Sequence, residues 1–125
     1  MTKRVLVIED EPNITSSLSF LLQRSGFDVQ TEDDGKAGLA AVLADPPDIL
    51  ILDVMLPGMD GYQILERLRG EAKTRDLPIL MLTAKGQQED RQSALDRGAD
   101  LFITKPFANA EILEAVQQLS AGRPA

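Results

Sequence analysis

A chain of 125 residues, 43 % of them hydrophobic, matches one ordinary domain built on a single core and leaves no room for a second folded domain. Its net charge of −7 argues against a nucleic-acid surface, which needs a basic patch or stripe, and the absence of cysteine and histidine excludes disulfides, thiol catalysis, zinc sites of the usual kind and a histidine general base. A metal here has to accept oxygen ligands. The apolar run after Met1-Thr2-Lys3-Arg4 is far too short for a signal-peptide core or a membrane span, so a soluble cytoplasmic protein is expected.

Val5-Leu6-Val7-Ile8 predicts a first strand that starts near Arg4 and runs out into Glu9-Asp10-Glu11. Pro12 to Arg24 follows with Ile14, Leu18, Leu21 and Leu22 on one face, the spacing of a helix that Ser25-Gly26 stops. Phe27 to Thr31 reads as the second strand. Asp33-Asp34-Gly35 caps a helix running through Ala37, Leu39, Ala40 and Leu43, which Asp45-Pro46-Pro47 ends. The third strand, Ile49-Leu50-Ile51-Leu52, is apolar without interruption and closes on Asp53, with Pro57-Gly58 in the loop beyond. A helix from about Asp60 to Arg69 turns Tyr62, Leu65 and Leu68 inward and closes at Gly70. Pro78 to Thr83 is the fourth strand. The helix from about Gln87 to Arg97, ended by Gly98, is the least apolar, with Ala94 and Leu95 as its anchors, and is expected to be loosely held. Leu101-Phe102-Ile103-Thr104 forms the last strand before Lys105-Pro106, and a helix from about Ala108 to Leu119 completes five strands and five helices. Ala121-Gly122-Arg123-Pro124-Ala125 has no apolar pattern and reads as a frayed tail or the root of a linker.

Apolar strands that do not alternate are buried on both faces, and strict strand-helix alternation with short links forces right-handed crossovers between parallel neighbours. The expected fold is therefore α/β, a doubly wound five-stranded parallel sheet with helices on both faces. Functional sites of such sheets lie at the carboxyl ends of the strands, and the polar residues of this chain gather there.

Asp53 emerges at that edge from a buried strand. Helix capping is the ordinary use of such an acid, but Asp60 is better placed to cap the helix that follows. In the same way capping explains one of Glu9, Asp10 and Glu11 well and three poorly. If the loop after the first strand lies beside the loop after the third, several carboxylates converge, and like charges strain one another unless a cation compensates. Hard oxygen ligands with open water positions suit Mg²⁺. Thr83 is at home in a strand and Lys105 is singly an ordinary solvated charge. Together they bring a hydroxyl and an ammonium to the edge that carries the carboxylates, as a phosphoryl group on Asp53 would need. A cis Lys105-Pro106 bond would aim the lysine back into the site, and the residues leave the isomer open.

Val7-Ile8-Glu9-Asp10-Glu11, Leu52-Asp53-Val54-Met55-Leu56-Pro57-Gly58-Met59-Asp60-Gly61, Leu82-Thr83-Ala84, and Gly98-Ala99-Asp100 followed by Thr104-Lys105-Pro106-Phe107 stand in order at four strand ends. With them the chain resembles, over essentially its whole length, the receiver domains of two-component response regulators. The resemblance implies a flavodoxin-like fold of strand order 2-1-3-4-5, with a receiver domain over residues 1–120 and a flexible tail or linker root over 121–125. It implies a signalling switch and not an enzyme, one that assists its own phosphorylation and dephosphorylation. A histidine kinase or histidine phosphotransfer protein is the implied donor and Asp53 the implied phosphoacceptor. Glu9, Asp10, Asp53 and the Met55 carbonyl are the implied Mg²⁺ ligands, and Thr83 and Lys105 the groups that hold phosphoryl oxygens. Phe102 occupies the family's switch-aromatic position. Drawing Thr83 inward would vacate space for its ring and reshape the surface of the fourth helix, fifth strand and fifth helix, which controls a downstream protein effector. Without a hydroxyl to keep in water, Phe102 is expected to turn inward at less cost than a tyrosine. Met55 and Lys85, two residues beyond Asp53 and Thr83, flank the route of water to the phosphoryl group, and their bulk implies a long-lived phosphoryl state.

Two features depart from common patterns of that family. Glu111-Ile112-Leu113-Glu114-Ala115-Val116-Gln117-Gln118 contains no Lys or Arg, and Leu101 replaces a frequent acid, so the salt-bridged dimer of transcriptional receivers is not expected. The expectation is a monomer or a phosphorylation-dependent dimer, a stand-alone receiver with no direct nucleic-acid binding and no membrane contact. An N-terminal receiver fragment of a longer DNA-binding or enzymatic regulator would look the same. Two other classes compete. An FMN carrier shares the fold, but Glu9-Asp10-Glu11-Pro12 would repel its phosphate, and only 4 % of residues are aromatic. A Mg-dependent aspartyl-phosphate hydrolase would need a second acid nearby and more chain for a substrate cap.

Overall fold

In the computed structural model, which describes residues 2–83 and 95–121, the elements follow as β1 (Arg4–Ile8), α1 (Pro12–Arg24), β2 (Asp28–Glu32), α2 (Gly35–Ala44), β3 (Ile49–Asp53), α3 (Gly61–Arg69), β4 (Ile79–Thr83), β5 (Leu101–Thr104) and α4 (Asn109–Ser120). The five strands form one parallel sheet in the order β2-β1-β3-β4-β5, the doubly wound arrangement expected. Four helices, not five, stand among the described residues. The helix expected from Gln87 to Arg97 falls largely on residues outside them, Leu95 and Asp96 being described as helical. The tail beyond Ala121 also lies outside. No helix among the described residues is long and apolar enough to cross a membrane.

β3 and β4 are buried at every position, which is why their sequences carry no alternation. Side chains still alternate between the two faces. Leu6, Ile8, Leu50, Leu52 and Met81 pack with Leu39 and Val42 of α2 and with Ile64, Leu65 and Leu68 of α3. Val5, Val7, Ile49, Ile51, Leu80 and Leu82 pack on the other face with Leu18 and Leu22 of α1 and with Ile112 and Val116 of α4. Burying each such leucine or isoleucine contributes about 2 kcal/mol, so the two-faced core fixes the sheet edge above it.

Two local expectations shift. The second strand starts at Asp28, not at Phe27, because Phe27 belongs to the turn that closes α1. Gly26 adopts φ +95°, the Gly26 amide donates to the Gln23 carbonyl at 3.1 Å, and the Phe27 amide donates to that of Leu22 at 3.0 Å. These are the two bonds of a Schellman motif, and the Phe27 ring joins Leu22 in the core as the hydrophobic contact that accompanies it. In α2 the buried face runs through Gly35, Gly38, Leu39 and Val42, whereas Ala37 and Ala40 are exposed and Leu43 is half-buried. Asp34 caps this helix, accepting from the Lys36 and Ala37 amides at 2.6 and 3.3 Å.

Candidate functional site

The register of the sheet explains how four distant residues meet. Ile8 pairs with Leu52, so Glu9 follows β1 opposite Asp53. Asp53 pairs with Leu82, which sets Thr83 one step beyond it, and Thr83 pairs with Thr104, which sets Lys105 one step further. Glu9, Asp53 and Thr83 are 0, 3 and 1 % exposed, unusual burial for two carboxylates. Lys105 reaches back over them. Its Nζ donates to Glu9 Oε2 at 3.0 Å and to Asp53 Oδ2 at 3.1 Å, across a peptide bond to Pro106 that is cis. Its backbone amide donates to the Thr83 carbonyl at 2.7 Å, tying the lysine to the end of β4.

The remaining oxygens of the two buried acids face backbone amides. Glu9 Oε1 accepts from the Glu11 amide at 3.1 Å and Asp53 Oδ1 from the Met55 amide at 3.4 Å. Asp10 is exposed, yet one carboxylate oxygen from each of Glu9, Asp10 and Asp53 lies within 4.8 Å of the others. Three hard oxygen donors so close, with solvent on one side, fit a divalent cation of the Mg²⁺ type. Electrostatics points the same way. Burial, and then the Asp53 side chain beside it, raise the Glu9 carboxyl to about 7, against the opposing pull of Lys105. Burial works to lower the Lys105 ammonium, but Glu9 and Asp53 outweigh it and hold the group above its ordinary value. The site carries more negative charge than its lysine balances. It opens into a cleft of about 650 Å³ whose lining includes Asp10, Asp53, Met55 and Lys105 together with the apolar Ile14 and Phe107.

A family model, the response regulator receiver domain, matches residues 5–117. The chain belongs to this family. The receiver domain is 44 % identical over 116 residues to the DNA-binding dual master transcriptional regulator RpaA of Synechocystis, covering 93 % of this chain and 48 % of that protein. It thus spans about half the length of the curated relatives it matches. Among solved structures it superimposes with a TM-score of 0.88 on the chemotaxis response regulator CheY4 of Vibrio cholerae, at 31 % identity with 95 % of this chain and 99 % of that chain covered. The TM-score is also 0.88 to the receiver domain of a Pseudomonas aeruginosa sensor histidine kinase, at 28 % identity with 98 and 100 % covered. That structure holds a magnesium ion coordinated in its active-site cleft.

Among the residues singled out from the sequence, Glu9, Asp10, Asp53 and Lys105 come together, Thr83 stands at the same sheet edge with its carbonyl bonded to the Lys105 amide, and Met55, 65 % exposed, lines the cleft. Glu11 does not join the carboxylates. It stands at the N-cap of α1 without a side-chain cap bond and contributes its amide to Glu9 instead. Phe102 lies apart, half-buried on β5 against the core and beside a small cleft with Glu111 and Glu114. Lys85 lies outside the described residues. Sequence reasoning missed the backbone amides of Glu11 and Met55, because an amide has no residue signature.

Proposed function

We propose that this receiver domain, spanning residues 1–120 with 121–125 as tail or linker root, is a cytoplasmic switch that takes a phosphoryl group on Asp53 from a histidine kinase or histidine phosphotransfer protein. The observation that carries this reading is the Lys105 ammonium bridging Glu9 Oε2 and Asp53 Oδ2 beside Asp10. Glu9, Asp10, Asp53 and the Met55 carbonyl would hold Mg²⁺, which when bound supplies positive charge against the phosphoryl oxygens. An Asp53 carboxylate oxygen attacks phosphorus as the bond to the donor's imidazole nitrogen breaks, and that nitrogen keeps the electron pair. With the donor ring protonated on its other nitrogen, the products are an aspartyl phosphate and a neutral histidine. Lys105 follows the charge from carboxylate to phosphoryl oxygen, and the Thr83 hydroxyl donates to a second oxygen, so the protein's share is positioning and electrostatics.

Phosphorylation adds roughly one negative charge beyond the carboxylate it replaces. Thr83, drawn toward it, leaves space for the Phe102 ring, and the face around β5 and α4 changes shape for a downstream protein effector. Acids and glutamines on α4 support a protein partner in place of a salt-bridged second copy. A second reading takes its support from the half-length match to relatives: in a longer regulator the same face would act on an attached domain. Beryllium fluoride with Mg²⁺, a mimic of a phosphoryl group on a carboxylate, is expected to shift the NMR amide signals of Thr83, Lys105 and Phe102. An unchanged spectrum, or the same shifts in Asp53→Ala, would refute the assignment.

Met55 covers the approach of water to Asp53, which is itself 3 % exposed. Met55→Ala is expected to shorten the aspartyl-phosphate lifetime several-fold, read by loss of the adduct after removal of the donor. An unchanged lifetime removes Met55 from the account.

A further inference from the structure

The loop from Val54 to Asp60 carries the Met55 carbonyl, and the first turn of α2 grips its far limb. The Gly35 amide donates to the Pro57 carbonyl at 3.0 Å. A Cβ on Gly35 would overlap the carbonyl oxygen of Met59, so these two stretches of backbone touch directly. A Cβ on Gly58, which adopts φ +82°, would stand 2.9 Å from Asp34 Oδ1. The near limb is fixed independently, by the Val54 amide on the Leu82 carbonyl at 3.0 Å and the Gly61 amide on the Val54 carbonyl at 2.8 Å. The loop is therefore closed at its ends by Val54 and Gly61, the Met55 amide rests on Asp53 Oδ1 at 3.4 Å, and the outer stretch from Pro57 to Met59 is held by its contact with α2.

We infer that Gly35 and Asp34 are positioning residues for the phosphoacceptor site. They hold the Pro57-Gly58-Met59 limb against α2 and so set the Met55 carbonyl where it serves as a cation ligand. The inference rests on the proposed function and deepens it. A carbonyl ligand held by a rigid loop binds without ordering cost, and groups that orient a ligand from behind typically change metal affinity by about 10- to 100-fold when altered. Gly35 is suited to this because any side chain displaces backbone that has no rotamer to yield.

The test is Mg²⁺ affinity, followed by NMR amide shifts of Asp53 and Met55 as MgCl₂ is added to the full chain. Gly35→Ala is expected to weaken binding about tenfold. Val42→Ala, a cavity in the same helix about two turns beyond Gly35, is the control: it is expected to lower the melting temperature and leave the affinity unchanged. Should Gly35→Ala not fold, Asp34 provides the second arm. Asp34→Ala removes the cap and the packing on Gly58 and is expected to weaken binding, whereas Asp34→Asn, an equally good cap, restores it. Unchanged affinity in Gly35→Ala, equal losses in Val42→Ala, or an Asp34→Asn as weak as Asp34→Ala would each overturn the inference, the last by showing that charge and not position is at work. If the unaltered protein shows no Mg²⁺-dependent shift at Asp53, the proposed function falls and this inference with it. If only the variants fail to differ, the inference alone is lost.

Discussion

Lys105→Met is expected to slow phosphorylation of Asp53 by acetyl phosphate by about 100-fold or more, the scale on which a single preorganised charged donor acts in a water-poor site. The methionine fills similar space, so the loss isolates the ammonium that lies 3.0 Å from Glu9 and 3.1 Å from Asp53. Mg²⁺ binding should not weaken, because removing a cation from beside the carboxylates leaves more negative charge for the divalent ion. The stability effect has the opposite dependence on metal. Without Mg²⁺, two buried acids lose their common partner, and breaking a buried pair costs about 3 kcal/mol. Glu9 can escape this by taking up a proton, so the destabilisation is expected to be larger at pH 8 than at pH 6. Adduct formation followed by mass, with denaturant melts at the two pH values, checks both parts. Unimpaired phosphorylation would remove Lys105 from the mechanism.

The metal-free protein is expected to lose stability as pH rises between about 5 and 8, contrary to the usual behaviour of carboxylates. Glu9 has an ordinary value of 4.5 and is raised to about 7 in the fold, chiefly by burial. Below 4.5 its carboxyl holds a proton whether the chain is folded or not, and between the two values only the folded chain holds it. Its contribution is thus fully present below 4.5 and is lost as pH climbs through about 7, an amount on the order of 3 kcal/mol at 1.36 kcal/mol for each unit. The Lys105 shift lies above its ordinary value of 10.5 and does not enter this window. Binding of Mg²⁺ must expel the Glu9 proton, so apparent affinity should rise up to tenfold per pH unit until about pH 7 and then level. Thermal melts should therefore show little stabilisation by excess MgCl₂ near pH 5.5 and the largest near pH 8. A metal-free profile that rises with pH, or equal stabilisation at both ends, would contradict the assignment of Glu9.

Much of this was legible in residue order, for reasons that differ by element. α1 was bounded from outside, by Pro12 at its first turn and Gly26 past its end, two residues whose backbone preferences leave little choice. β3 and β4 announced themselves by apolar runs without alternation. β2 was harder, since it is an edge strand with three of its five residues exposed, and Phe27 was claimed by the helix stop before it. At the site, residue types at four strand ends were enough to gather Glu9, Asp10, Asp53, Thr83 and Lys105, because a parallel sheet brings all its carboxyl ends to one edge. What stayed hidden was contact between backbones. The touch of Gly35 on Met59 links residues 24 positions apart through atoms every amino acid shares. So too the Arg69 side chain, which bonds the carbonyls of Thr74, Arg75, Leu77 and Gly98 as well as Asp100, reads in sequence as one more surface arginine on α3.

Intact mass after incubation with acetyl phosphate and Mg²⁺, comparing the protein with Asp53→Ala, tests the central claim most directly. One labile phosphoryl adduct is expected that requires Mg²⁺, is cleaved by hydroxylamine as an acyl phosphate must be, and is absent from Asp53→Ala. An adduct that persists in Asp53→Ala, or forms equally without a divalent ion, would place the chemistry on another residue and contradict the account.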